Sequence, residues 1–137
     1  MTIEKLGNLN DKKFYILGEE WTIKIVNTDE KSSIAKILKA QNASMLTQLY
    51  RREIWVSIND YISTDESQQM PNNNPAIDQD LTHELYHAFY YESGLDSSAM
   101  LPEDEAWPRN ETMIDWNAKM FHKILKARRD LGISDNF

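Results

Sequence analysis

The sequence predicts an α+β domain in which a small antiparallel sheet is followed by two long helices. Apolar and polar residues alternate with period two from Trp21 to Val26, and a second β-rich run covers Glu53 to Ile58. Two later segments instead place apolar residues at helical spacing, and each is closed by a glycine, Gly94 or Gly132. A length of 137 residues corresponds to one domain, 1–137, with a modest core.

The elements follow in order. Residues 1–13 are polar and read as a loosely held N-terminus. Phe14 to Leu17 and Trp21 to Val26 flank Gly18-Glu19-Glu20, and Trp21, Ile23 and Ile25 alternate with Thr22 and Lys24, as in a strand with one buried face. Ile34, Ile37 and Leu38 mark a short helix behind a Ser32 or Ser33 cap. Met45 to Tyr50 and Glu53 to Ile58 read as an antiparallel hairpin whose loop is either Arg51-Arg52, an unusual pair for a two-residue turn, or longer. Residues 59–74 form a polar loop.

The first long helix opens with Asn74 as cap, Pro75 in its first turn and acidic Asp78 and Asp80 nearby; its stripe is Ile77, Leu81, Leu85, Ala88 and Phe89. The second runs from about Pro108 or Asn110 to Leu131, with Met113, Trp116, Met120 and Ile124 on one stripe and basic residues near its end.

Composition removes several function classes. The net charge of −7 argues against binding to a phosphate backbone, which relies on Lys and Arg. There is no cysteine, so any metal must take His and carboxylate ligands. The first residues carry no signal-peptide pattern and no apolar run reaches membrane-spanning length, so neither nucleic acid nor membrane is expected as a partner and the cytoplasm is the expected compartment.

Within the first long helix the run His83-Glu84-Leu85-Tyr86-His87 spells HExxH and uses two of the three histidines. Helical positions four apart lie about 40° apart on one face, so both imidazoles can reach one metal ion, with Glu84 beside it as general base. A third protein ligand is needed if the metal is to keep an open position. Glu111 and Asp115 are four apart on the second helix: Glu111 is assigned as that ligand, and Asp115 as the acceptor that orients the far ring nitrogen of His83. Glu92 should face away, whereas Glu103, Asp104 and Glu105 could reach the metal if their connection folds back. His122 would lie roughly 16 Å from Glu111 along the helix axis, and reads as a structural or partly exposed histidine.

His83-Glu84-Leu85-Tyr86-His87 followed by Glu111-Thr112-Met113-Ile114-Asp115 resembles the gluzincin metallopeptidases, HExxH on one helix and ExxxD on the next. The wording from Arg52 to Phe121, with Leu81-Thr82 before the motif and Ser93-Gly94-Leu95 after it, is similar more narrowly to small phage and prophage zincin-like proteins, related at the motif level to ImmA/IrrE-type metallopeptidases. The resemblance implies a minimal zincin-like fold, its sheet packed on the HExxH helix and the glutamate-bearing helix. It implies Zn2+ as cofactor, and a specific protein or peptide as substrate or partner.

The expected reaction is amide hydrolysis by activated water, with Glu84 taking the proton. An oxyanion donor is also required; Tyr86, Tyr90 and Tyr91 are near in sequence, but spacing assigns none of them. The strand from Glu53 is read either as the sheet edge receiving an extended peptide or as an ordinary core strand. The alternative function is a zincin-fold interaction protein of phage origin that binds a partner without cleaving it.

Overall fold

The computed structural model describes residues 1–62, 74–95 and 110–133. In chain order the elements are α1 (Ile3–Gly7), β1 (Lys13–Ile16), β2 (Glu19–Val26), α2 (Ser33–Ala40), β3 (Met45–Gln48), β4 (Glu53–Ser57), a 3-10 turn (Ile58–Tyr61), α3 (Pro75–Glu92) and α4 (Glu111–Asp130). The fold is α+β, as the sequence predicts.

The strands form one sheet in the order β1-β2-β4-β3. Its two hairpins are antiparallel, but β2 and β4 run parallel, Ile23 beside Ile54 and Ile25 beside Val56. The sheet is therefore mixed, whereas a fully antiparallel one was expected. Alternation fixes which face of a strand is buried, and that face is the same for either direction of its neighbour. Trp21, Ile23, Met45, Ile54 and Val56 build the main core against α1 and α3, while Val26 and Trp55 pack on Ala35 and Leu38 of α2.

The β1–β2 turn is Leu17-Gly18, both at positive φ (49° and 87°). That conformation belongs to a type I′ hairpin, which favours Asn-Gly because a branched residue at positive φ is strained. Leu17 is also exposed. Leu17→Asn should raise stability by about 0.5–1 kcal/mol, read as a higher urea midpoint at unchanged slope. The β3–β4 connection is four residues, Leu49 to Arg52, the longer of the two expected loops.

In the N-terminal segment, expected to be loosely held, α1 packs on the core. Ile3, Leu6 and Leu9 share a spacing that turns them inward; Leu6 is fully buried, Thr2 caps α1 through the Lys5 amide, and the terminal ammonium pairs with Asp78 of α3. Of the polar loop predicted at 59–74, residues 63–73 lie outside the described residues. Its start is ordered: Tyr61 is buried and donates its hydroxyl to Asp80 at 2.7 Å.

Helix α3 has the start read from the sequence, with Asn74 accepting from the Ala76 amide and Pro75 leading. Its far end is tied to the sheet. The Glu92 carboxylate accepts from the Trp21 indole (2.9 Å) and from Arg52 Nε (2.6 Å), and the latter hydrogen bond is the chief cause that pushes the Arg52 guanidinium further above its ordinary value. Trp21 is fully buried, so Glu92→Ala leaves an indole N–H without its acceptor and should lower stability by about 1–3 kcal/mol. Glu92→Gln, which still offers an oxygen, should lose less in the same denaturant titration.

Helix α4 packs on α3, but not with the stripe expected from its apolar spacing. Ile114 and Ala118 are buried, whereas Met113, Trp116 and Ile124 are exposed, Trp116 by 57%. The face that carries Ile114 and Ala118 is also the face that carries Glu111 and Asp115. Phe89, expected on the buried stripe of α3, is likewise exposed. Among the described residues no helix is long and apolar enough to cross a membrane.

Candidate metal centre

Helical spacing alone brings His83 and His87 together. Their Nε2 atoms stand 3.2 Å apart, with the rings edge to face. The first turn of α4, opened by Asn110 accepting from the Met113 amide, then lays Glu111 across both: Oε2 is 2.9 Å from His83 Nε2 and Oε1 is 3.2 Å from His87 Nε2. One donor atom from each residue lies within 4.8 Å of the other two, so the group could hold a metal ion.

The donor set fits that purpose. A tetrahedral ion with bonds of 2.0–2.1 Å separates its ligands by about 3.3–3.4 Å; the two imidazole nitrogens already stand 3.2 Å apart, and Glu111 meets each of them through a different oxygen, Oε2 at 2.9 Å and Oε1 at 3.2 Å. Two imidazoles and a carboxylate, without thiolate, are ligands of borderline to hard character. Glu111 is 69% exposed and closes the site from the solvent side, while the histidines are about one-fifth exposed. The ligand group is therefore within reach of solvent.

Asp115 faces the nitrogen it was assigned to. Its Oδ1 lies 3.7 Å from His83 Nδ1, beyond hydrogen-bond length, and its Oδ2 takes the Lys119 ammonium at 2.8 Å. The hydrogen bond from Lys119 holds the Asp115 carboxyl below its ordinary range, against a small opposing effect of burial and with His83 adding to the depression. Lys119 was missed in the sequence, although its i,i+4 spacing from Asp115 was legible.

Glu84 on α3 is buried, 9% exposed, and its partner is Thr47 on β3. Thr47 Oγ1 is 2.5 Å from Glu84 Oε2 and 3.0 Å from the Glu84 carbonyl oxygen. No periodicity announces this contact, because it joins residues 37 apart through the sheet. A cleft of about 430 Å3 opens here, lined by Met45, Leu46, Thr47 and Leu49 on the β3 side and by His83, Glu84, His87 and Glu111 on the other.

The remaining candidates separate cleanly. Glu92, expected to face away from the histidines, bonds Trp21 and Arg52 on the sheet side, and Glu103, Asp104 and Glu105 lie outside the described residues. His122 stands 3.4 Å from Thr82 Oγ1 and does not join the ligand group. Tyr86 packs on Tyr90, where burial pushes its phenol up, and the Tyr90 hydroxyl accepts from Asn117. Among the described cleft residues there is no tyrosine. The strand from Glu53 is β4, an inner strand between β2 and β3; the edge beside the cleft is β3.

No family model, curated protein or solved structure matches the chain, so the centre stands on the convergence of His83, His87 and Glu111.

Proposed function

We propose that this protein is a zinc-dependent peptidase of gluzincin type, acting in the cytoplasm on a specific protein substrate, as its resemblance to phage and prophage zincin-like proteins implies. The observation that carries the reading is the convergence of three donors beside a buried carboxylate at the edge of a sheet. His83, His87 and Glu111 hold the ion. The chemistry a bound zinc supplies is Lewis acidity, towards water and towards a carbonyl oxygen.

The chain's own groups supply the rest. Glu84 accepts a proton from the attacking water and returns it to the leaving nitrogen, as one carboxylate can do in succession. The free side of β3 offers backbone groups to an extended peptide, which would lie along the cleft as a further strand. Leu46, Leu49 and Met45 give that cleft an apolar lining suited to apolar side chains.

A second reading is an interaction protein that retains the zincin fold and binds without cleaving. Two observations favour it: the exposed Trp116, Met113 and Ile124 on α4, and a described cleft lining without a tyrosine to meet an oxyanion. A zinc-loaded sample incubated with a degenerate peptide mixture decides between them by mass spectrometry. Chelator-sensitive new termini support the peptidase; an unchanged mixture, together with an unchanged protein substrate pool from lysate, overturns it in favour of the second reading.

A further inference from the structure

We infer that Thr47 is the positioning residue of Glu84, a role that rests on the peptidase reading above. A carboxylate that is 9% exposed needs a hydrogen-bond donor. The donor comes from β3, whose Met45 packs into the core under α3 and whose alternation puts Thr47 on the same side. A threonine hydroxyl carries one proton, and both oxygens within its reach, Oε2 and the main-chain oxygen, belong to Glu84. Whichever accepts, the hydroxyl holds the same residue.

Threonine also suits the task through its stiffness. Its β-branched side chain is restricted at χ1, so the strand fixes where the hydroxyl stands. When Oε2, the nearer of the two at 2.5 Å, accepts from the hydroxyl, Oε1 is the oxygen left for the proton of a reacting water. A general base has to be held within a fraction of an ångström to be effective. The strand that fixes Glu84 is the one that lines the cleft and would carry the peptide, so base and substrate share one frame of reference.

The test uses the full chain loaded with cobalt(II), whose visible absorption reports the ion's coordination and its open position. Thr47→Val removes the hydroxyl at nearly constant shape, and Thr47→Ser restores it without the methyl group. Thr47→Val should bind cobalt with wild-type affinity, alter the visible band in the direction of Glu84→Gln, and add nothing to that change in the double variant. Thr47→Ser should return the wild-type band. On a cleaved peptide, Thr47→Val should lower kcat roughly ten- to a hundredfold at constant KM, again with rescue by serine. A Thr47→Val band superimposable on wild type, or a Thr47→Ser band that follows Thr47→Val, overturns the assignment. Failure of the wild-type protein to take up cobalt overturns the metal reading itself, and this inference with it.

Discussion

Zinc binding at one ion per chain should be lost when His83, His87 or Glu111 is replaced by alanine. Each of these residues contributes one donor to a set of three, and removal of one leaves two ligands that small adjustments cannot complete. Loss of an outer partner of a metal ligand usually lowers affinity about 10–100-fold, so loss of a ligand itself should exceed that. Asp115→Ala belongs to the lesser class and near its lower end, because its Oδ1 stands 3.7 Å from His83 while its other oxygen, Oδ2, takes the Lys119 ammonium. Glu92→Ala should leave affinity untouched, since its carboxylate serves Trp21 and Arg52. Competition titration against a chromophoric chelator orders the series. Wild-type affinity in Glu111→Ala would move the third ligand elsewhere, and absence of binding by the unaltered protein would remove the centre.

Glu84→Gln should separate metal binding from chemistry. Glutamine keeps the shape of the side chain and an oxygen to accept from Thr47, so zinc affinity should stay within about twofold while cleavage falls roughly 10²–10⁴-fold, the usual contribution of a general base. The measurement is cleavage rate against zinc content on the same preparations. Equal loss of both would mean that Glu84 supports the fold, and persistent cleavage would mean that another group takes the proton.

The features that could be read in the sequence are those whose causes are local. Asn74, Pro75 and the run to Glu92 define α3 through groups that cap their own turn, and the i,i+4 relations place His83 with His87 and Glu111 with Asp115. Convergence of the two pairs follows once α4 lies on α3. The parallel neighbour of β2 was not legible, because alternation is blind to strand direction. The burial of Leu6 was not either: two or three apolar residues in a polar stretch are a weak signal until the core offers them a place. The rotation of α4 is of another kind. Its strongest apolar stripe points outward and Ile114 and Ala118 point inward, so hydrophobic patterning alone does not give the orientation, a departure of the kind met at functional sites. Thr47 and Glu84 meet only in the tertiary structure.

That rotation makes α4 dependent on what it carries. With its larger side chains turned to solvent, the helix docks through Ile114 and Ala118 and through Glu111 reaching both histidines. An ion shared between α3 and α4 would then fasten the two helices together. A ligand that binds only the docked form stabilises it by about 2.7 kcal/mol at a hundredfold excess over its Kd. That protection should be concentrated in the amides of α4, slowing their hydrogen exchange while β2 and β4 exchange as before. Metal supply would thereby set how firmly the helix stays closed over its own site.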